Sequence, residues 1–460
     1  MTLIKSISGI RGTIGGRPGQ ALTPMDVVSI AGAFGMWLQN SGANKKLVIG
    51  RDARISGEMV NQLVVGSLIS VGIEVIDLGL ATTPTVEMAV IDMNAGGGII
   101  ITASHNPKNW NALKLLNSKG EFISDQDGKD LLQLVEDKNY TYNGVDDLGS
   151  YSKDENYLDK HIQHILDLDL VDVEAISASD FSVAVDAVNS VGGFAIPRLL
   201  KALGVNKVTE INCVPDGNFA HNPEPLPENI VEISELVKKE NLDLGIIVDP
   251  DVDRLALVCN DGTPFGEEYT LVSVADYVLQ HTKGALVANL SSTMALRGIA
   301  EKHGVEFFES AVGEVNVVRE MNKQAAAIGG EGNGGVIYPE LHNGRDALVG
   351  VALFLTYLAK SKMTSAELRA TYPDYKIEKQ KIELDGVADL DGILEQVRRK
   401  FIDFPSNTID GLKITFPEGW VHMRKSNTEQ IIRIYAEATT EKYAKDLAEC
   451  VKQLMNNINE

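Results

Sequence analysis

From about residue 46 the apolar positions follow a repeating rhythm: a short unbroken run, then residues spaced three and four apart, then another run. Leu47-Val48-Ile49-Gly50 reads as a buried strand, 56–71 as a helix, 73–78 as a strand, 85–93 as a helix and 98–102 as the next strand. Strands alternating with helices predict a mostly parallel sheet covered on both faces. After an acidic stretch at 146–155 the rhythm restarts, with strands at 181–188, 207–211 and 244–248 and helices at 194–203 and 228–239. A third round is predicted from strands at 255–259, 285–290, 305–308 and 326–329 and helices at 271–279, 294–303 and 347–359. The last part breaks the rhythm. Strands at 412–416 and 430–437, flanked by helices at 391–401 and 441–456, suit a small α+β unit. The expectation is an α/β protein of four domains, 1–148, 149–254, 255–372 and 373–460. The first three are related, with mixed, mostly parallel sheets.

Composition narrows the partners. A chain of 460 residues exceeds one hydrophobic core, and 44% hydrophobic with 23% charged residues is ordinary for a soluble globular protein. The net charge of −22 argues against nucleic acid or an anionic membrane as partner. Any anionic ligand must be held by local cations and backbone NH groups. Cys213, Cys259 and Cys450 are widely separated and suit a reducing, cytoplasmic setting. The first residues contain no signal-like apolar stretch, and no run approaches the roughly 20 residues of a membrane helix.

Four loops carry the candidate chemistry. Ile99-Ile100-Ile101 stops at Thr102-Ala103-Ser104-His105-Asn106-Pro107, which holds a hydroxyl at the carboxyl end of a strand, where ligands of such sheets bind. Read alone, the stretch is also an ordinary strand exit into an Asn-Pro turn. Asp249-Pro250-Asp251-Val252-Asp253-Arg254 places three carboxylates in a tight loop, hard oxygen ligands suited to Mg²⁺. An EF-hand fits poorly, because Arg254 stands where its glycine belongs and Asn260 where its last Glu belongs. A haloacid-dehalogenase-type phosphatase fits poorly because Asp253 stands where its Thr or Val belongs, and a solvated acidic turn is the bland alternative. Gly329-Gly330-Glu331-Gly332-Asn333-Gly334-Gly335 allows close backbone approach, and Glu331 and Asn333 offer partners for hydroxyls; it is equally a hairpin turn. Arg424-Lys425-Ser426-Asn427-Thr428-Glu429 has the cations, hydroxyls and amide that a phosphate requires. Its Ser-x-x-Glu spacing also fits a capping box, but β-type residues follow. Lys114 is a base or phosphate contact, or a surface lysine.

Together with Gly9-Ile10-Arg11-Gly12, these loops occur in the order of the α-D-phosphohexomutase family, which the chain resembles over its whole length. The resemblance implies a heart-shaped, four-domain enzyme with one cleft, acting on sugar phosphates. It implies that Ser104 is a phosphoserine, that Ser104, Asp249, Asp251 and Asp253 hold one Mg²⁺, and that Arg11, Lys114 and Arg254 lie near the transferring phosphoryl group. His105 and Lys114 are then candidates for proton transfer. Glu331 and Asn333 would read sugar hydroxyls, while Arg424, Ser426, Asn427, Thr428 and Arg433 would grip the distal phosphate. The implied reaction interconverts hexose 6- and 1-phosphates through a hexose 1,6-bisphosphate. Gly335, Asn333, Gln430 and Ala112 depart from the usual His, Ser, Pro and Gly. The Gly-Glu-x-Asn-Gly-Gly form and Arg433-Ile434-Tyr435-Ala436-Glu437 resemble the archaeal-type phosphoglucosamine mutase branch, ahead of phosphomannomutase/phosphoglucomutase. A Mg²⁺-dependent phosphatase with Asp249 as nucleophile and a silent sugar-phosphate-binding protein are the rival readings.

Overall fold

Three of the four sheets share one construction. The computed structural model, which describes residues 2–6, 9–383, 389–426 and 431–459, sets three parallel strands side by side and returns the last through a loop into an antiparallel neighbour. In the first unit the parallel strands are Glu74–Leu80, Lys46–Arg51 and Gly97–Ile101, and the antiparallel return is Trp110–Leu116. In the second they are Lys207–Ile211, Ser182–Asp186 and Leu244–Val248, returning as Leu255–Cys259. In the third they are Phe307–Ser310, Leu286–Asn289 and Ile328–Glu331, returning as Gly335–Ile337. The first sheet is widened to seven strands by Leu3–Ser6 and Gly9–Thr13 at one edge and Tyr151–Lys153 at the other.

Every residue of Gly97–Ile101, Leu244–Val248 and Leu255–Cys259 is buried, as expected of strands covered on both faces by helices. The fourth unit is different. Lys376–Glu383, Ile431–Ala438, Gly419–Lys425, Leu412–Phe416 and Ser406–Asn407 form a wholly antiparallel sheet packed on helices Leu390–Lys400 and Glu441–Asn459. The second and third units share one core in which Val248 and Leu255 meet Phe265 and Leu353, while the first and fourth units have cores of their own. No described helix is long and apolar enough to cross a membrane.

Two expected divisions move. Leu255–Cys259, expected to open the third round, closes the second sheet, with Val248 opposite Leu255. Only six residues separate the two strands, enough for an antiparallel return but not for the crossover a parallel neighbour needs. Tyr151–Lys153 likewise reaches past residue 148 into the first sheet, pairing with Glu74–Leu80. A fully apolar run such as Leu255–Cys259 carries no mark of its direction, and the exposed three-residue strand Tyr151–Lys153 is too short and polar to show a period.

Candidate active site

The equivalent loop of each repeated unit, between the last parallel strand and its antiparallel return, is one of the loops carrying chemistry. They are 102–109 with Ser104, 249–254 with the three aspartates, and 332–334 beside Glu331. Three copies of one topology thus turn the same corner toward one another.

The serine loop is braced by a buried arginine. Ser104 is in the left-handed region at φ 48°, a conformation unfavourable for an L-residue unless its surroundings enforce it. Its NH donates to Thr102 Oγ1 at 2.9 Å, and Thr102 Oγ1 donates to Asp52 Oδ2 at 2.7 Å. Asp52 also accepts from Arg54 Nε at 2.9 Å. The Arg54 guanidinium donates to the carbonyl oxygens of Ser104, Asn106, Pro107 and Trp110, tying the loop from one centre. Asp52 and Arg54 were not singled out from sequence. Their signal was the charged run Arg51-Asp52-Ala53-Arg54 at the carboxyl end of a parallel strand.

Ser104 Oγ donates to Asp249 Oδ2 at 2.8 Å, which joins the first two units. Asp249 Oδ1 accepts from the NH groups of Asp253 and Arg254 at 3.2 and 3.1 Å, with Val252 at φ 63° turning the loop. Asp251 Oδ2 accepts from Thr83 Oγ1 at 2.6 Å and Lys114 Nζ at 2.7 Å. Asp253 Oδ2 accepts from Lys114 Nζ at 3.2 Å and Arg345 Nη2 at 2.7 Å.

All three aspartates are wholly buried, and Asp251 Oδ1 and Asp253 Oδ1 have no hydrogen-bond partner among the described residues. One oxygen from each lies within 4.8 Å of the others. Three buried carboxylates converging at this range, two of them with an orphaned oxygen, fit a hard divalent cation such as Mg²⁺.

The charges have clear causes. Burial, then Asp253 and Asp251, push Asp249 well above the usual carboxylate range. Burial pushes Asp253 the same way, but Arg345, Lys114 and Arg254 outweigh it and hold it low. Burial opposes the charge on Lys114, yet Asp251 and Asp253 raise it, so the ammonium stays protonated. His105 Nδ1 lies 3.3 Å from Ser104 Oγ. Desolvation and then the Arg254 charge drop the imidazole well below its usual range, so it is neutral at pH 7. Of the two proton-transfer candidates, His105 is the one with a lone pair. Arg11 sits on Gly9–Thr13, antiparallel to the strand of Lys114, within electrostatic reach of Arg254 and Asp251. A side chain at Gly9 would place Cβ 2.0 Å from the Leu113 carbonyl oxygen, so glycine there lets the two strands meet.

Glu331 is buried and already well partnered. Its Oε1 accepts from Asn289 Nδ2 at 2.9 Å and Gly313 NH at 3.0 Å, and its Oε2 from Arg345 Nη1 at 3.0 Å. Asn333 Oδ1 accepts from Gly335 NH at 3.2 Å. Arg345, unremarked in the sequence, also donates through Nε to Glu314 Oε2 at 3.0 Å, and its bonds to Glu331 and Asp253 link the glycine-rich loop to the aspartate loop.

In the fourth unit, Arg424 and Arg433 face each other across adjacent strands, and Arg433 Nε donates to Ser426 Oγ at 3.3 Å. Arg424 Nε is buried without a partner among the described residues. Asn427 and Thr428 lie outside the described residues. The fourth unit docks on the third through Lys413–Glu309 at 2.6 Å, His422–Ser291 at 2.9 Å and Asp410 with the Val312 NH at 3.0 Å.

Known proteins match this organisation in order. Residues 3–141, 159–262 and 266–375 match the phosphoglucomutase/phosphomannomutase alpha/beta/alpha domains I, II and III, and residues 375–454 match the C-terminal domain. A phosphoglucomutase/phosphomannomutase of Thermococcus kodakarensis is 36% identical, covering 95% of this chain and 96% of its own. A phosphoglucosamine/phosphogalactosamine mutase of Sulfurisphaera tokodaii is 33% identical over 97% and 98% of the two chains. A probable phosphoglucosamine mutase of Methanopyrus kandleri is 30% identical over 96% and 95%. A crystal structure of a phosphoglucomutase/phosphomannomutase family protein from Burkholderia thailandensis superposes with a TM-score of 0.84 at 25% identity, covering 99% and 97%.

Proposed function

The chain belongs to the phosphoglucomutase/phosphomannomutase family of isomerase-type phosphotransferases, and we propose that it carries a phosphoryl group on Ser104 and interconverts glucosamine 6-phosphate and glucosamine 1-phosphate. The observation that carries the reading is the 2.8 Å hydrogen bond from Ser104 Oγ to Asp249 within three buried aspartates. A hydroxyl held there sits beside the oxygens that would hold Mg²⁺. When bound, that ion supplies charge neutralisation at the transferring phosphoryl oxygens.

Phospho-Ser104 gives its phosphoryl group to the free hydroxyl of the hexose monophosphate. The bond from phosphorus to the serine oxygen breaks, a bond to the sugar oxygen forms, and the hydroxyl proton passes to a base. The product is a hexose 1,6-bisphosphate, which turns over in the cleft and returns its other phosphate to Ser104. Lys114, Arg254 and Arg11 supply fixed positive charge around this transfer. The neutral His105 imidazole, 3.3 Å from Ser104 Oγ, is placed to take or return the proton.

At the far end, like charges directly opposite on neighbouring strands repel. The Arg424–Arg433 pair is relieved when a dianion lies between the two guanidinium groups, and the unpartnered Arg424 Nε is a donor waiting for it. Glu331, with Arg345 holding one oxygen, orients the sugar loop and keeps one lone pair, on Oε2, for a hydroxyl or an ammonium. The glucosamine assignment rests on the loop resemblance and on the relatives named for phosphoglucosamine; glucose and mannose phosphates are the second reading, favoured by the Thermococcus kodakarensis relative.

Intact-mass measurement of the parent and of Ser104→Ala tests the mechanism. A phosphate-sized increment is expected in the parent alone, with turnover lost in the variant. Full turnover in Ser104→Ala, with loss in Asp249→Asn, would make the protein a phosphatase. Parallel assays on the 6-phosphates of glucosamine, glucose and mannose decide the sugar.

A further inference from the structure

Behind the cleft, two imidazoles aim at one carboxylate oxygen. His161 Nε2 lies 3.0 Å and His342 Nε2 3.4 Å from Asp346 Oδ2. His161 and Asp346 are wholly buried and His342 is 5% exposed. One ligating atom from each of the three residues lies within 4.8 Å of the others. The far nitrogens face polar groups: His161 Nδ1 is within hydrogen-bond reach of Thr85 Oγ1 at 3.0 Å, and His342 Nδ1 is 3.5 Å from Glu87 Oε2 with no hydrogen bond between them. Glu87 is 1% exposed, and neither of its carboxylate oxygens has a hydrogen-bond partner among the described residues; nor does His342 Nδ1.

We propose that His161, His342 and Asp346 form a three-ligand site for a Zn²⁺-class transition-metal ion, held by the two Nε2 atoms and Asp346 Oδ2 with water as the fourth ligand. The two separations to Asp346 suit it: bonds of about 2.0–2.1 Å in a tetrahedron put neighbouring ligand atoms about 3.3 Å apart, and ligating nitrogens of the two imidazoles lie within 4.8 Å of one another. The outward-facing nitrogens suit it as well. Metal-bound histidines almost always direct the second ring nitrogen at a carboxylate, carbonyl or other polar partner, which fixes the ring. Glu87 takes that place for His342 and Thr85 for His161. A metal-bound His342 carries its proton on Nδ1, toward Glu87, which explains an unpartnered carboxylate kept so deep.

The donor set separates this site from the aspartate loop. Three carboxylates suit Mg²⁺, whereas two imidazoles and one carboxylate suit Zn²⁺. Its position joins three units. Thr85 and Glu87 come from helix Thr83–Asp92 of the first, whose Thr83 supports Asp251. His161 comes from helix Tyr157–Leu166. His342 and Asp346 flank Arg345, which braces Asp253. An ion here holds the supports of the aspartate loop together, and its burial means that it enters as the chain folds.

The test is zinc analysis of the full chain produced with Zn²⁺ in the medium, then passed over chelating resin into Mg²⁺ buffer. About one zinc per chain is expected in the parent and in Asp251→Asn, and less than about a tenth in His161→Gln and in His342→Gln. Zinc missing from the parent, unchanged in both histidine variants, or lost in Asp251→Asn overturns the proposal. Should the histidine variants not fold, the parent produced with Co²⁺ in place of Zn²⁺ decides. Intense visible absorption of tetrahedral cobalt supports the site, and the faint spectrum of octahedral cobalt refutes it.

Discussion

Replacing Arg345 with methionine keeps much of the side-chain volume and deletes the charge that joins three buried carboxylates. Three charge-assisted hydrogen bonds disappear, to Asp253 at 2.7 Å, Glu331 at 3.0 Å and Glu314 at 3.0 Å. At about 1.5–3 kcal/mol each, their simple sum is about 5–9 kcal/mol. The remaining partners reduce it. Asp253 keeps Lys114, and Glu331 keeps Asn289 and the Gly313 NH. Glu314 is left with the backbone NH of residue 345 and takes up a proton, its pKa being already raised by burial. The expected net cost is about 3–5 kcal/mol, the range for one partner lost from a buried ion pair.

Four units need not unfold in one transition, so the local readout is amide exchange in Ile328–Glu331 and Gly335–Ile337, which flank the sugar loop. Exchange should speed up by about two to three and a half powers of ten, since about 1.4 kcal/mol is tenfold. Turnover should fall on the order of 10²-fold as Asp253 loses its brace. Combining the change with Glu314→Gln should show a coupling of about 1–3 kcal/mol. Exchange within a few-fold of the parent, with unchanged kcat, would refute the reading of Arg345 as the brace of both loops.

His422 tests the seam between the third and fourth units. Burial pushes it from its ordinary 6.5 down to about 3, its Nε2–H donating to the Asp410 carbonyl and its Nδ1 accepting from Ser291. The unfolded chain takes up this proton below pH 6.5 while the folded chain does not. This share of stability is therefore full above 6.5 and is lost as pH falls toward 3, about 2 kcal/mol by pH 5. Denaturation from pH 7 to 5 should show a shallower loss in His422→Gln, and equal slopes would refute the linkage. Mg²⁺ at a hundred times its Kd should stabilise the protein by about 2.7 kcal/mol. Chelator should remove that gain, and Asp251→Asn should never show it; a melting temperature indifferent to Mg²⁺ would contradict the metal loop. Arg424→Ala should raise KM and lower kcat together, because a distal phosphate grip also positions the reacting end. A change in KM alone would assign it to binding only.

What could be read from the sequence was local. Ile99-Ile100-Ile101 ending at Ser104, and Ile246-Ile247-Val248 ending at Asp249, announce a strand and a polar loop at its carboxyl end within ten residues. Three alternating rounds are visible because burial on both faces demands unbroken apolar strands. The first long helix, Pro24–Asn40, is not among the predicted elements, although Thr23 before Pro24, with Asp26 at N3, is an equally local helix-start signal. Arg345 was invisible as a site residue, and Arg54 showed only as part of a charged run at a strand end, because an arginine's role depends on what surrounds it. Arg54 gathers carbonyls some fifty residues downstream, and Arg345 joins carboxylates from two different loops.

The direction of Leu255–Cys259 was equally hidden, since an apolar run looks the same in either sense. Sequence by itself determined the family and the apolar parallel strands, but not the antiparallel returns Trp110–Leu116 and Gly335–Ile337 or the strands Lys376–Glu383 and Gly419–Lys425. Only the tertiary structure decided that Ser104 meets Asp249 across 145 residues, that Glu331 is already held, and that His161 and His342 share Asp346. The reason is physical: pattern and turn chemistry act over a few residues, whereas convergence is set by how separately folded layers pack.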